Sequence, residues 1–262
     1  MPRLKSRIGA IAEFAVLSLT ISASAEEPLV TDRPDFTESS SAVGAGVLQL
    51  ESGVTYAAFR NASSVITAGE ILARWGVLEK LELRFLLPTY ARESGQGSGA
   101  SGFLPTGVGL KYELAQGDGT GFLGGIEAAL IASTTIPTGS GDFRNSDWQP
   151  AAVLATSWEL APTVGIGTNL GVARPADDRT RYATLWASVV LGVGLNDTMS
   201  VFVELYGFER EENRGPSTVT IQTGLVYLIS PDLQADFRAA RRLTDRGVDF
   251  LAGAGLSWRF GG

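Results

Sequence analysis

The sequence contains neither cysteine nor histidine. The absence of cysteine excludes disulfides, a thiolate nucleophile, a zinc–thiolate site and a lipid-modified cysteine anchor. The absence of histidine removes the residue that most often serves as general base and as metal ligand. The phosphate-binding loop GxxxxGK[ST] is also missing, although the chain has 32 glycines. The sequence therefore predicts no metal and no cofactor.

The chain has fewer basic residues than acidic ones. The chain has 21 basic and 28 acidic residues, a formal net charge of −7. Basic residues do not cluster with aromatic ones, as they do on nucleic-acid-binding surfaces. We therefore expect no nucleic-acid partner.

Long apolar runs are missing after residue 25. No segment there approaches the ~20 continuous apolar residues that a transmembrane helix needs. Only helices and closed barrels satisfy their backbone groups in lipid. If the chain spans a membrane, it must therefore do so as a β-barrel.

The first 25 residues have the features of a secretory signal peptide. Arg3, Lys5 and Arg7 precede a short apolar run at 14–21, and small residues at 23–25 suit a cleavage site. A membrane anchor is the alternative, but the run is well short of ~20 residues. We predict a signal peptide over 1–25 and a mature chain that is exported from the cytoplasm.

From residue 47 onward the chain has the period of two that is typical of strands. In 80–88, for example, Leu81, Leu83 and Phe85 alternate with Glu82 and Arg84. About twelve such segments are near the ~9–11 residues of a membrane-spanning strand. We place them at 47–59, 64–76, 80–90, 106–115, 121–136, 147–159, 163–174, 181–195, 199–210, 217–229, 233–242 and 248–260.

The connections alternate between short and long. Tight turns read GVLE, LAPT, NDT and SPD, whereas longer polar connections read RESGQGSGASGF, TGSGDFRNSD, RPADDRT and EENRGPS. Only the first hairpin, around RNASS, is short where a long loop is due. Tight periplasmic turns and long external loops are typical of outer-membrane barrels.

A soluble β-sandwich or lipocalin-like barrel would also alternate. Two features favour the membrane barrel. Aromatic residues lie near strand ends, as in an interfacial girdle, namely Trp75, Trp148, Trp158, Tyr227 and Trp258. The chain also ends with Gly255, Trp258 and Phe260 at the spacing read by the barrel assembly machinery of outer membranes.

The predicted fold is all-β, an antiparallel transmembrane β-barrel of about twelve strands in the outer membrane of a Gram-negative-type bacterium. The barrel covers residues 47–262, and a non-strand segment over 26–46 precedes it. The expected partners are outer-membrane lipid, the barrel assembly machinery and a small-molecule permeant.

If the apolar face meets lipid, the other face lines the lumen with charges of both signs. These charges predict either ion pairs between neighbouring strands or a constriction that sets selectivity. The predicted lumen charges are Glu51, Glu70, Arg74, Glu82, Arg84, Lys111, Glu113, Glu127, Glu204, Asp236, Arg238 and Arg259.

Four aromatic side chains share the inner face. Phe202, Tyr206 and Phe208 lie on one predicted strand, and Trp186 lies on the strand before it. They form either an aromatic track for an apolar permeant or ordinary filling of barrel volume.

The stretch TDRPDFTESS, 31–40, is a polar segment without a strand or helix period. It is either a disordered periplasmic leader or a plug in the barrel mouth, and we favour the plug because the lumen offers partners for its charges. A calcium site is a weaker third interpretation, since the glycine and terminal glutamate of a calcium loop are missing. The candidate plug residues are Asp32, Arg33, Pro34, Asp35, Phe36 and Glu38.

Several stretches together resemble a known family. They are TDRPDFTESS, VLQLESGVTY, LELRFLLP, GVGLKYEL, TIPTG, FVELYG and LTDRGVDFLAGAGLSWRF. The resemblance is to the transporter-like outer-membrane family named for the MetA pathway of phenol degradation. It implies passage of small aromatic compounds and brings no catalytic residues.

The predicted function is an outer-membrane channel or transporter for small molecules, with aromatic or phenolic ones implied by the resemblance. An occluded barrel with a structural or surface-interaction role is the alternative, and a soluble lipocalin-like binder is the third. Hydrolase and acyl-transferase barrels rely on histidine, so we predict no enzyme. A paired-carboxylate glycosidase remains formally open.

Overall fold

The computed structural model describes residues 28–60, 63–95, 99–117, 125–177 and 180–261. The signal peptide predicted over 1–25 lies outside the described residues. Within these ranges no helix is long and apolar enough to cross a membrane.

Strands dominate the described residues. One short 3-10 turn is also present, at Gly141–Phe143. The strands are β1 Leu48–Ala58, β2 Ser64–Leu78, β3 Leu81–Leu86, β4 Tyr90–Ser94, β5 Ser101–Phe103, β6 Gly107–Gln116, β7 Ile126–Thr135, β8 Gln149–Ala161, β9 Val164–Ala173, β10 Ala176–Asp177, β11 Thr180–Arg181, β12 Thr184–Asn196, β13 Met199–Phe208, β14 Thr218–Ser230, β15 Leu233–Arg242 and β16 Phe250–Phe260.

The sheet closes into a barrel because β1 pairs with both β2 and β16. The other wall strands pair antiparallel with their neighbours around the ring, whereas β5 pairs only with β4 and β10 only with β11. In the described residues β3 and β4 together form one wall strand, which gives a closed barrel of twelve strands. The predicted fold class is therefore confirmed.

The barrel is apolar outside and polar inside. Leu170 and Leu160 are each 60% exposed, while the side chains of Glu51, Glu82 and Arg74 are fully buried. A soluble barrel would have the opposite arrangement, since it buries its apolar face. Of the predicted girdle, Trp75, Trp148, Tyr227 and Trp258 are exposed and Trp158 is half-buried. This outer surface does not favour the lipocalin-like alternative.

The third wall strand is interrupted, where the sequence predicted an unbroken strand over 80–90. β3 ends at Leu86 and β4 begins at Tyr90, with Pro88 between them. Proline has no N–H to donate to a ladder. Opposite the break, β2 bulges at Gly69 and Glu70, which have φ angles of 98° and 40°. The bulge switches which residues of β2 face inward.

Two predicted loops contain short strands instead. β5 lies within the connection predicted at 92–103 and pairs with β4, and β10 within the one predicted at 174–180 pairs with β11 at its end. The fifth predicted strand, 121–136, begins at Ile126 in the described residues, and 121–124 lie outside them.

Candidate functional site

Residues 28–46 lie inside the barrel, and we call them the lumen segment. The segment enters beside a tight turn, where the Leu29 N–H donates to the Pro231 carbonyl at 2.9 Å. It leaves beside another, where the Gly46 N–H donates to the Gly76 carbonyl at 2.9 Å. Both of its ends are therefore at the end of the barrel that carries the tight turns.

A balanced ion cluster joins the lumen segment to one side of the wall. Asp32 accepts from Arg84 Nη1 at 2.6 Å and from Lys111 Nζ at 3.0 Å. Arg74 in turn bonds Glu51 at 3.0 Å and Glu82 at 2.9 Å. We call this group the central ion cluster, with three acids and three bases: Asp32, Glu51, Glu82, Arg74, Arg84 and Lys111.

Burial alone would raise the pKa of Asp32, but three nearby cations, Arg74, Lys111 and Arg84, hold that pKa well below its ordinary value. Its carboxylate is therefore charged at neutral pH. Buried charges are tolerated only when they are paired and hydrogen-bonded. Lys111 depends most on Asp32 for such pairing, because its other carboxylate partner, Glu82, is 4.0 Å away.

Arg33 lies in a slot made by two glycines. Gly53 and Gly255 face each other across β1 and β16, and a Cβ at either position would overlap the Arg33 guanidinium. That guanidinium donates to Asp236 at 3.2 Å and to Glu70 at 3.0 Å. Gly255 thus has a packing role beyond its place in the predicted assembly signal.

Phe36 inserts among three of the four predicted track residues. Its ring stacks on Tyr206 with centroids 4.3 Å apart. Trp186 and Phe208 meet it edge-on at 5.0 and 5.6 Å. The fourth, Phe202, lies apart from this group and lines a cavity. The backbone N–H groups of Phe36 and its neighbour Thr37 donate to Glu204 at 2.8 and 2.6 Å.

A cavity of about 650 Å³ remains between the lumen segment and the wall strands β8, β9, β12 and β13. Inward-facing glycines leave it open, because a Cβ at Gly192 or Gly194 would meet nothing closer than 4.0 and 3.7 Å. Asp35 lines it from the segment side. Desolvation and then the nearby Glu204 carboxylate raise the pKa of Asp35 well above its usual value.

The remaining predicted lumen charges lie around the segment rather than in the ion cluster. Glu113 accepts from the Ala42 N–H at 2.6 Å, and Arg238 donates to the Pro34 carbonyl at 3.1 Å. Glu127 accepts from Ser40 and Ser157 at 3.0 Å. The predicted plug residue Glu38, in contrast, pairs with Arg84 of the ion cluster at 2.9 Å.

One predicted lumen charge lies at the rim of the barrel, and two residues of the predicted assembly signal lie on its outer surface. Arg259 bonds Asp232 in a tight turn at 2.7 Å, at the rim rather than deep in the lumen. The rings of Trp258 and Phe260 are 4.5 Å apart, and both side chains are exposed.

Sequence reasoning missed several amides that bind the segment. Asn169 Oδ1 accepts from the Glu38 N–H at 2.7 Å, and Gln222 Nε2 donates to the Pro34 carbonyl at 3.4 Å. Gln49 donates to the Val30 carbonyl at 2.9 Å. The period of two places all three on the inner face, so their position could have been read from the alternation.

Comparison with solved structures identifies the same architecture in known channels. An outer membrane channel from Pseudomonas putida F1 has a TM-score of 0.65 at 13% identity, over 84% of this chain and 97% of that chain. The NanC porin has a TM-score of 0.56 at 9% identity, over 80% and 98%. The CymD monoaromatic hydrocarbon channel has a TM-score of 0.50 at 11% identity, over 82% and 88%.

At these identities the likeness is one of fold, and the fold is that of outer-membrane channels and porins. None of the curated proteins matches the chain. A family model matches residues 31–260, which include both the lumen segment from Thr31 and the whole barrel. The chain belongs to the family described as "Putative MetA-pathway of phenol degradation".

Proposed function

We propose that the chain forms an outer-membrane channel for small molecules, aromatic ones among them. The observation that carries this proposal is the polar lumen with its cavity of about 650 Å³ beside the lumen segment. An interior packed for stability alone would be filled to native density. The inward glycines instead keep space along β9 and β12.

Aromatic permeants are supported by the inward ring group of Trp186, Tyr206 and Phe208. Aromatic rings attract other rings by stacking and edge contacts, each worth ~0.5–1.5 kcal/mol beyond buried area. The family description refers to phenol degradation, and one channel of similar fold is named for monoaromatic hydrocarbons.

The lumen segment closes this channel in our proposal. It crosses the lumen between the central ion cluster and the ring group, so a permeant must pass beside it or displace it. The same contacts favour a second candidate, a permanently closed barrel with a structural role. The channel and the permanently closed barrel differ in whether the lumen segment can leave the lumen.

Catalysis has no part in the proposed function. The chain has no histidine or cysteine, and the carboxylates of Glu51 and Glu82 bond Arg74. Outer-membrane lipid would contact the apolar outer surface, and the assembly machinery would recognise Gly255, Trp258 and Phe260.

Two glucosides of nearly equal size test the aromatic preference. Phenyl and cyclohexyl glucoside both cross bare bilayers slowly, and only the first carries a ring with a π face. We expect liposomes containing the protein to admit phenyl glucoside several-fold faster, because only that ring gains aromatic contacts. The swelling rate of the liposomes measures entry. Equal rates would contradict the aromatic preference, and no entry of either glucoside, or of a smaller sugar, would contradict the channel.

A further inference from the structure

We propose that Trp186, Tyr206 and Phe208 form a binding site for one aromatic ring, and that Phe36 occupies it as an internal stand-in for the ligand. This inference rests on the proposed channel function and deepens it, since it names where an aromatic permeant would bind. We call these three wall residues the ring site.

The ring site has the geometry of a receptor for a single ring. One wall residue stacks on Phe36 at an interplanar angle of 18°, and the other two approach edge-on at 72° and 73°. Stacked and edge-to-face contacts are the two arrangements that aromatic pairs favour. A phenyl ring is therefore held on three sides by contacts that any other single ring could make.

The barrel itself fixes the ring site, whereas its occupant comes from outside the sheet. Trp186 and Phe208 are paired residues of β12 and β13. Gly171 on β9 faces Trp186, and a Cβ there would overlap the indole ring. The indole is thus set against the wall by backbone packing. Withdrawal of Phe36 would leave Trp186 packed against Gly171, with its ring centroid 6.3 Å from that of Phe208.

The side chain of Phe36 contacts the ring site, whereas its backbone is bound by residues outside that site. The N–H groups of Phe36 and Thr37 bond Glu204, and Thr37 Oγ1 bonds Ser188 at 2.7 Å. Arg33 and Asp32 anchor the earlier part of the segment through ion pairs. Truncation of the Phe36 side chain would therefore leave a ring-sized space within an intact frame. Apolar spaces of this kind bind benzene-sized molecules.

The ligand class follows from the contacts. All three side chains that contact the Phe36 ring are aromatic, and the Phe36 ring itself carries no charge. The site therefore suits a neutral monocyclic aromatic such as phenol. Cyclohexanol has a similar volume without a π face and should bind less well.

The test is phenol binding to the purified Phe36→Ala protein in detergent, measured by calorimetric titration. We expect this variant to bind phenol at least about tenfold more tightly than the unmodified protein, and about tenfold more tightly than it binds cyclohexanol, which corresponds to roughly 1.4 kcal/mol in each comparison. Adding Trp186→Leu should remove the gain. Phe250→Ala, which truncates an exposed phenylalanine on the outer surface, is the matched control and should show none.

Equal phenol binding by Phe36→Ala, Phe250→Ala and the unmodified protein would overturn the ring site. If Phe36→Ala does not fold alone, refolding it in the presence of phenol or cyclohexanol is the second test. Phenol should then restore the folded barrel more effectively than cyclohexanol, and no rescue by phenol would also overturn the proposal. Binding in detergent does not require transport. Phenol binding without glucoside entry would therefore contradict the channel alone, and entry without binding would contradict the ring site alone.

Discussion

Replacing Asp32 by asparagine is expected to lower the free energy of unfolding of the barrel by about 3–5 kcal/mol, the cost of removing one partner from a buried ion pair. The side chain of Asp32 is 5% exposed and faces Arg84 and Lys111 directly. Without its charge the three bases of the central ion cluster keep only Glu51, Glu82 and, through Arg84, the partly exposed Glu38. Asparagine has nearly the same shape, so the loss would come from charge rather than from packing.

Urea unfolding of the protein in lipid vesicles, followed by tryptophan fluorescence, measures this change. Asp147→Asn is the control, because Asp147 pairs with Arg181, whose side chain is 43% exposed. Exposed pairs contribute about 0–1 kcal/mol. If Asp32→Asn costs no more than Asp147→Asn, the ion cluster does not anchor the lumen segment.

Replacing Gly255 by alanine is expected to destabilise the folded protein by about 3 kcal/mol. The new Cβ would overlap the Arg33 guanidinium and displace it from Asp236 and Glu70, and it would also lie 2.5 Å from the Ser52 carbonyl oxygen. Gly194→Ala is the matched control. It also adds an inward methyl group, but the nearest atom there is 3.7 Å away. The same urea experiment compares the two variants.

A double-mutant cycle separates this packing role of Gly255 from its predicted role in assembly. If Gly255 is needed only for packing, adding Gly255→Ala to Arg33→Ala should cost less stability than Gly255→Ala costs alone, and the remaining cost would come from the contact with the Ser52 carbonyl. If the assembly machinery requires the glycine, the double variant should reach the membrane as poorly as Gly255→Ala alone. Membrane yield and unfolding free energy together distinguish the two roles.

The barrel could be predicted from the sequence because its signals are local. Alternation sets strand and face, and turn length sets which end of the barrel a connection occupies. The break at Leu87–Thr89 also had a local signal, in Pro88. It was missed because the apolar run at 85–87 obscures the change of phase from buried Glu82 and Arg84 to buried Thr89 and Ala91.

The partners of the lumen segment could not be predicted in the same way. Asp32 meets Lys111, which is 79 residues away in the sequence. That contact depends on barrel closure and strand register, which no short stretch encodes. Phe36 reaches Trp186 for the same reason. The sequence supported a plug only in general terms, through the abundance of charge on both surfaces.

Single-channel conductance in a planar bilayer tests the proposed closure by the lumen segment most directly. We would compare the intact mature protein with a variant that lacks Thr31–Ser40. We predict small or intermittent currents from the intact protein and a steady conductance several-fold larger from the variant, because water would replace the segment and solvate the lumen charges. Equal conductance from both proteins, or silence from both, would contradict closure by the segment. Complete silence from the intact protein with steady conductance from the variant would favour the permanently closed barrel.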